Sequence, residues 1–481
     1  MFWRGVLGYL PVNIVQGVVG LLSIVVFTRA LPPDAYGVYA LAFSVMSLVH
    51  TGMFLWLEAS MARFYAPEAE AGRLPGHFRT LYGAFAVQAL VFPLVAGAIL
   101  WLWPMPAALK IAIGAGLAAI LFRSLAKLVQ ERRRAAGDVR AAALLDVAMS
   151  AGGFAVGAGL ALAGFGGAAP LVGLGAAAAV CLIFALPTEL KQARGGLFEP
   201  VRARMYAAYG MPVSLSLILA LALATTDRFL LAAYLNETSV GVYHAGYSLA
   251  NRTLDVMFIW LGMAGGPAAI AALERGGITA LRETAREQAG FMIALALPAA
   301  VGLALVARPL ADVMIGVRLR AGAAEVTPWI AASAFFAGVT TYYFHTAFTL
   351  ARRTGLLLAA MAIPALSNIV LCLALIPRFG LQGALWATLI SYALGAVASF
   401  GLGRRALALP VPWDVLARAG VAAAVMALAV GAVPASGGVL ELGAKAAVGV
   451  VVYAVLAYVL DICGARTQSV RLVRALQPRR A

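Results

Sequence analysis

Long apolar segments alternate along this chain with loops of contrasting charge, and this pattern constrains the fold more than any other feature. Each segment has about twenty residues or slightly more, enough to cross a hydrocarbon core of ~30 Å at 1.5 Å per residue. Fourteen such segments can be marked: 8–29, 36–57, 80–103, 107–129, 141–163, 168–187, 208–234, 240–264, 289–307, 326–350, 356–377, 381–402, 415–433 and 441–462. The sequence therefore predicts an all-α polytopic membrane protein with about 14 transmembrane helices.

Basic residues favour every second loop of this pattern. Most of the 36 Lys and Arg lie before the first span, in the even-numbered loops or after the last span, whereas the odd-numbered loops hold few. Because basic loops stay on the cytoplasmic side of a membrane, we expect both termini in the cytoplasm. An even number of spans agrees with that expectation.

Composition excludes several classes of function. Hydrophobic residues make up 63% of the chain and charged residues 12%, and the net charge of +16 follows from the basic loops. We therefore expect membrane lipids and not nucleic acid as partners. The cysteines Cys181, Cys372 and Cys463 lie far apart in sequence, so neither a disulfide nor a metal site is expected. No phosphate-binding GxxxxGK[ST] loop is present, and we expect no cofactor.

The hydrophilic connections are too short to carry an enzyme active site. The longest are 58–79, 188–207 and 265–288, and the only external loop of any size is 308–325. Segments of this length do not fold as catalytic domains, and the external loop 308–325 contains no nucleophile–base arrangement. We therefore expect no catalytic residues and no enzymatic activity. A membrane enzyme of glycan assembly is the less favoured alternative.

An internal repeat divides the chain. The segment that begins at Leu31 returns at Leu235, an offset of 204 residues, and five positions are identical: Leu31, Gly37, Val38, Tyr39 and Ser44 match Leu235, Gly241, Val242, Tyr243 and Ser248. Six spans separate the copies, which predicts parallel repeats about an axis along the membrane normal. We expect two pseudo-twofold six-helix lobes, 1–205 and 206–403, followed by two C-terminal helices and a basic cytoplasmic tail in 404–481.

Polar side chains inside the first two spans are candidates for a cargo site, because such groups are costly in lipid. Asn13 and Gln16 share one face of the first span, and Arg29 lies near its outer end. His50 lies near the middle of the second span. Close helix packing would also explain these residues. Glu58, at the end of the second span, is expected to be a solvated carboxylate.

The seventh and eighth spans hold the strongest group of candidates. Arg252 lies near the middle of the eighth span, at a depth where a cation is costly. The group consists of Asp227, Arg228, Tyr247, Asn251, Arg252 and Asp255. An internal ion pair of Arg252 with Asp255 is the alternative explanation. The two readings are compatible, because a guanidinium binds a carboxylate or a phosphate through the same bidentate fork.

Several segments resemble the bacterial polysaccharide flippases, which translocate O-antigen and exopolysaccharide repeat units. They are Arg29-Ala-Leu-Pro-Pro-Asp-Ala-Tyr-Gly-Val-Tyr-Ala-Leu, Arg63-Phe-Tyr-Ala-Pro-Glu, Asp227-Arg-Phe-Leu-Leu with Val240-Gly-Val-Tyr, and Leu381-Gln-Gly-Ala-Leu-Trp-Ala-Thr-Leu-Ile-Ser. The resemblance covers most of residues 1–403. That family belongs to the superfamily of multidrug, oligosaccharidyl-lipid and polysaccharide exporters.

The resemblance implies a two-lobed bundle of the bacterial inner membrane that works by alternating access. It implies a polyprenyl-pyrophosphate-linked oligosaccharide as cargo and makes a polysaccharide polymerase a candidate partner. It leaves H⁺ and Na⁺ open as coupling ions. A cation-coupled exporter of small drugs is the alternative within the superfamily, and the thirteenth and fourteenth spans favour the flippase.

Overall fold

The computed structural model describes the backbone of residues 2–466, with the side chains of Val12 and of residues 15–466. This part of the chain contains fifteen α-helices and no β-strand, so the all-α prediction is confirmed. The helices are α1 (Phe2–Ala30), α2 (Pro33–Met53), α3 (Leu55–Glu70), α4 (Leu74–Leu102), α5 (Ala107–Ala135), α6 (Val139–Leu162), α7 (Ala169–Gln192), α8 (Pro200–Tyr234), α9 (Glu237–Leu305), α10 (Ala307–Met314), α11 (Val317–Val339), α12 (His345–Leu350), α13 (Thr354–Ala406), α14 (Trp413–Gly431) and α15 (Gly438–Val459).

Two of the helices are far longer than one membrane crossing. At 1.5 Å per residue, the 69 residues of α9 would extend about 100 Å, against a hydrocarbon core of ~30 Å. Each long helix is broken at a glycine with a left-handed backbone, Gly277 in α9 (φ 64°) and Gly380 in α13 (φ 57°). Glycine adopts this conformation without a steric penalty. Each long helix therefore supplies two spans.

The remaining spans follow from length and composition. Nine of the described helices are long and apolar enough to cross a membrane, and α2 with α3 forms one further span bent by 44°. The apolar part of α1, Val15–Ala30, adds another. Helix α11 continues through a π-helical turn, Thr340–Phe344, into α12 and supplies the last. With α9 and α13 counted twice, the described chain has fourteen spans, as predicted.

Three connections expected as hydrophilic loops are largely helical. Helix α3 continues to Glu70, α9 is interrupted between residues 265 and 288 only at Gly277, and α10 and α11 fill most of 308–325. The expectation of loops was wrong here because polar composition does not distinguish a loop from a helix that leaves the membrane.

The chain divides into two compact units, Met1–His244 and Ala245–Ala481. In the first unit α6 and α7 cross at glycines. A Cβ atom on Gly173 would lie 2.4 Å from the backbone nitrogen of Gly157, so only glycine permits this approach. Small residues at the crossing of two spans let the backbones pack closely, which stabilises helix association in lipid.

The two copies of the repeat contact each other reciprocally within the first unit. A Cβ atom on Gly37 would lie 1.8 Å from the carbonyl oxygen of Glu237, and one on Gly241 would lie 2.3 Å from that of Pro33. Pro33 and Glu237 are themselves equivalent positions of the repeat. Self-complementary contacts of this kind are what a twofold relation between two segments generates.

Buried ion pairs join the basic ends of the helices in the first unit. Glu189 at the end of α7 has a fully buried side chain and accepts hydrogen bonds from Arg132 Nε (2.6 Å) and Arg133 Nε (3.1 Å) of α5. Glu68 of α3 accepts one from Arg73 Nε at 3.0 Å, and this bond raises the pKa of the Arg73 guanidinium. The Glu189 contacts therefore join α5 to α7, and the Glu68 contact joins the end of α3 to the residue before α4.

The second unit packs α14 and α15 against the second segment of α9. Ile293 of α9 forms an apolar cluster with Ala419 and Ala422 of α14. Tyr453 of α15 donates a hydrogen bond to the carbonyl oxygen of Ala294 at 2.7 Å. The two C-terminal spans therefore pack within this unit.

Candidate functional site

Asp227 is the most deeply buried charged residue of the candidate group. Its side chain lies in α8 with no solvent exposure, and its Oδ2 accepts a hydrogen bond from the Tyr243 hydroxyl. Its Oδ1 accepts one from the backbone N–H of Arg228 at 2.8 Å. Tyr243 occupies the position in the second copy of the repeat that Tyr39 occupies in the first, so the second copy supplies this donor. A buried carboxylate needs such donors, because burial without them is costly.

Arg228 lies beside this carboxylate and is itself 4% exposed. Its guanidinium donates to the carbonyl oxygen of Ala224 and lies 6.0 Å from the ring centroid of Tyr243. The structure thus brings the predicted pair Asp227 and Arg228 together with Tyr243. In this structure the Arg228 side chain is held by its own helix and by the tyrosine ring.

An aromatic cluster surrounds the start of α9 in the first unit. The His244 ring lies 5.5 Å from that of Tyr36 and 6.1 Å from that of Tyr39, both on α2. Tyr39 also lies 5.9 Å from Phe43. Tyrosine and histidine offer an apolar ring with a polar atom, the combination that suits sugar hydroxyls as well as helix packing.

Arg252 lies in α9 within the second unit, and its side chain is exposed. It follows Glu237 by fifteen residues, about 22 Å along the helix. A guanidinium at that depth is costly against lipid and normally faces the bundle interior or a water-filled cavity. Its exposure within an apolar helix makes Arg252 a candidate for contact with water or a polar ligand.

Asp255 lies one turn beyond Arg252 and is also exposed. No ion pair within 4 Å joins Arg252 to Asp255 among the described residues, although the charge of Arg252 acts electrostatically on the Asp255 carboxylate. Asp255 Oδ2 instead accepts a hydrogen bond from Asn251 Nδ2 at 3.2 Å, because these residues are four apart on one helix face. The Arg252 guanidinium is thus not occupied by this carboxylate.

His50 belongs to a polar cluster that the sequence did not reveal. Its Nδ1 lies 2.9 Å from Ser124 Oγ of α5, and its Nε2 lies 3.3 Å from Glu58 Oε1 of α3. The expectation that Glu58 is a solvated carboxylate was wrong, because this residue is 8% exposed. The bend between α2 and α3 at Phe54 turns the Glu58 side chain inward, towards His50.

The remaining candidates belong to none of the side-chain clusters described above. Arg29 is exposed near the end of α1, Gln16 is half-buried on the same helix, and Tyr247 is half-buried on α9. The Asn13 side chain lies outside the described residues, as does the tail from residue 467. The residues that sequence reasoning missed are Ser124, Tyr243 and Glu58 as hydrogen-bonding or ionic partners. Only the repeat pointed to one of them, Tyr243.

Comparison with known sequences identifies the family. A model of the polysaccharide biosynthesis protein family matches residues 26–320, more than half of the chain. The chain belongs to the polysaccharide biosynthesis protein family. No curated protein sequence matches it. The resemblance to polysaccharide flippases noted from the sequence motifs is consistent with this membership.

Solved structures share the fold of this polysaccharide biosynthesis family member. The lipid II flippase MurJ in an inward closed conformation superposes with a TM-score of 0.75 at 12% identity, over 94% of this chain and 98% of that one. A multidrug resistance MATE family transporter of the MOP superfamily gives 0.65 at 13% identity in its inward-facing conformation, over 81% of this chain and 94% of that one. A multidrug resistance MATE family transporter in an outward-facing conformation gives a TM-score of 0.58 at 14% identity, over 84% of this chain and 94% of that one. The chain thus has the fold of flippases and transporters.

Proposed function

We propose that the protein translocates a polyprenyl-pyrophosphate-linked oligosaccharide from the cytoplasmic to the periplasmic leaflet of the bacterial inner membrane. It would do so by alternating access, for the synthesis of lipopolysaccharide or exopolysaccharide, without enzymatic activity. The observation that carries this proposal is Arg252, an exposed guanidinium about 22 Å along a membrane-spanning helix. Family membership and the flippase-like fold support the class of cargo.

Each candidate residue has a role in this proposal. Arg252 holds the pyrophosphate through the bidentate fork of its guanidinium. Asn251 and Asp255, which are hydrogen-bonded to each other, offer acceptors and a donor to sugar hydroxyls. Asp227 and Arg228 form the buried support beside Tyr243. Arg29, Asn13, Gln16, His50 and Tyr247 complete the proposed cargo path.

The proposed mechanism uses two lobes, residues 1–205 and 206–403, with 404–481 added to the second. The reciprocal contact of Gly37 and Gly241 supports a twofold relation between the lobes. Both termini would be cytoplasmic. A polysaccharide polymerase is the proposed partner that uses the translocated repeat unit, and H⁺ or Na⁺ is the proposed coupling ion.

The second candidate function is cation-coupled export of small drugs, which the similarity to MATE transporters favours. The two functions differ in their cargo. A flippase leaves lipid-linked oligosaccharide in the cytoplasmic leaflet when it is inactive, whereas loss of a drug exporter changes drug accumulation and leaves the glycan unaffected.

The test is complementation of a strain in which this gene is deleted. Arg252→Ala should abolish surface polysaccharide and cause lipid-linked precursor to accumulate, whereas Arg252→Lys should restore part of the export, because an ammonium keeps the charge but not the fork. Arg275→Ala is the matched control, since Arg275 is an exposed cation of the same helix. Wild-type export by Arg252→Ala at equal protein abundance would contradict the assignment of the site.

A further inference from the structure

Two cations of α5 lie inside the first unit at membrane depth. Arg123 is nine residues and Lys127 five residues from Arg132, which Glu189 holds at the basic end of the helix. These separations correspond to about 14 Å and 8 Å along the axis. Both side chains are half-buried, and among the described residues no carboxylate lies within 4 Å of either. A cation inside a span that has no ion-pair partner points to a ligand.

The His50–Glu58 pair lies next to these cations. Ser124, the residue after Arg123, contacts His50 Nδ1 at 2.9 Å, and His50 Nε2 contacts Glu58 Oε1 at 3.3 Å. Residues eight apart on a straight helix are separated by about 12 Å along the axis. The 44° bend at Phe54, midway between His50 and Glu58, allows the two side chains to meet. The imidazole and carboxyl thus form one titratable pair beside the cations.

The charges around the pair decide what an added anion would do. Arg123 and Lys127 act electrostatically on both His50 and Glu58, and further charges reach the cluster from α5 and α6. The charged groups are Arg123, Lys127, Arg134, Glu58, Glu131 and Asp146, and Arg134 pairs with the last two. Tyr39 is the remaining titratable group near Arg123. Three cations thus face three carboxylates when Glu58 is ionised.

We propose that Arg123 and Lys127 bind a pyrophosphate group and that the His50–Glu58 pair takes up a proton when that anion binds. This inference rests on the proposed cargo. When Glu58 is ionised, the positive and negative charges of the site are equal in number, so an entering anion makes its net charge negative. A proton taken up by the His50–Glu58 pair offsets part of that negative charge. The guanidinium offers the anion a bidentate fork and the ammonium a point charge. The proton comes from water and ends on the Glu58 carboxylate or the His50 imidazole.

Linkage makes the effect reciprocal. If the anion raises the proton affinity of the pair, protonation must raise the affinity for the anion by the same factor. Anion binding should therefore tighten as the pH falls. The site would thereby couple entry of the cargo into the first unit to uptake of a proton.

The experiment is calorimetric titration of the full chain in phosphatidylcholine nanodiscs with farnesyl pyrophosphate as the probe. Titrations in two buffers of different ionisation enthalpy give the number of protons taken up on binding. We expect net proton uptake by the wild type, and affinity that falls as the pH rises. Binding without proton exchange would overturn the proton-linked part, whatever any variant does.

Variants test the residues. Arg123→Gln should weaken binding about tenfold or more, because the anion loses its charged partner. Glu58→Gln, which removes the ionisable carboxyl of the pair, should lower the number of protons taken up on binding. Lys110→Gln, a change at the other end of α5, is the matched control and should bind like the wild type. Wild-type affinity in both Arg123→Gln and Lys127→Gln, or unchanged proton uptake in Glu58→Gln, would overturn the proposal.

A phosphate oxyanion at this site could come from the cargo or from a bilayer lipid. Nanodiscs that contain phosphatidylglycerol separate these sources. If this lipid leaves probe binding unchanged, the pyrophosphate assignment stands, and if it displaces the probe, that assignment is overturned. Loss of translocation in Arg252→Ala together with unaltered binding in Arg123→Gln would reject this inference alone. Proton-linked binding without any translocation would reject the proposed function alone.

Discussion

Gly37 offers the sharpest test of helix packing, because a methyl group there would enter the backbone of α9. The Cβ atom of Gly37→Ala would lie 1.8 Å from the carbonyl oxygen of Glu237 and 2.7 Å from its carbon. A backbone oxygen cannot rotate away as a side chain can, so the helices must separate. Overpacking of this kind costs about 1–3 kcal/mol. The gain in helix propensity from Gly to Ala is about 1 kcal/mol, so we expect net destabilisation of up to about 2 kcal/mol.

The assay is heat unfolding of the purified protein in detergent, followed by tryptophan fluorescence. Gly97→Ala is the matched control, since a Cβ atom there meets nothing within 4 Å and should raise the midpoint. Gly241→Ala should act like Gly37→Ala, because its Cβ atom would lie 2.3 Å from the Pro33 carbonyl oxygen. The double variant should cost less than the sum, since one separation relieves both clashes. If Gly37→Ala and Gly97→Ala raise the midpoint temperature of unfolding equally, the close contact does not exist.

Three further predictions concern burial and topology. Glu189→Gln leaves two arginines of α5 without their carboxylate, and denaturant titration should show that the free energy of unfolding falls by about 3–5 kcal/mol. A fall of less than about 1 kcal/mol, which is typical of surface ion pairs, would mean that this pair is solvated. Tyr243→Phe removes a hydrogen-bond donor from buried Asp227 and should cost about 1–3 kcal/mol by the same titration, whereas a neutral result would reject the bond. Reporter fusions should give periplasmic activity at Glu237 and cytoplasmic activity after Ala481, and a periplasmic report after Ala481 would refute fourteen spans.

The helices could be predicted from the sequence because hydropathy acts over one segment at a time. A run of about twenty apolar residues can satisfy its backbone in lipid only as a helix. The equivalence of Gly37 and Gly241 was also accessible from the repeat, but the close approach of the two copies was not. Prediction failed at 58–70, where a polar composition fits a loop and an emerging helix equally well.

The contacts of the candidate site could not be predicted in the same way. Helical periodicity shows which residues share a face, but Ser124 and His50 come from different helices. The burial of Glu58 depends on the bend at Phe54, and Gly52, two residues earlier, does not by itself predict a bend within an apolar span. Asp255 has two neighbours of suitable chemistry on its own helix. The structure alone shows that Asn251 binds it.

Translocation in proteoliposomes tests the proposed function most directly. The purified protein is reconstituted with a polyprenyl-pyrophosphate-linked oligosaccharide whose sugar carries a fluorophore that dithionite bleaches from outside. We predict that dithionite bleaches nearly all of the fluorescence in vesicles with the wild type, and only the outer-leaflet fraction in vesicles with Arg252→Ala. Bleaching confined to the outer leaflet in both, or complete in both, would contradict a flippase that uses Arg252.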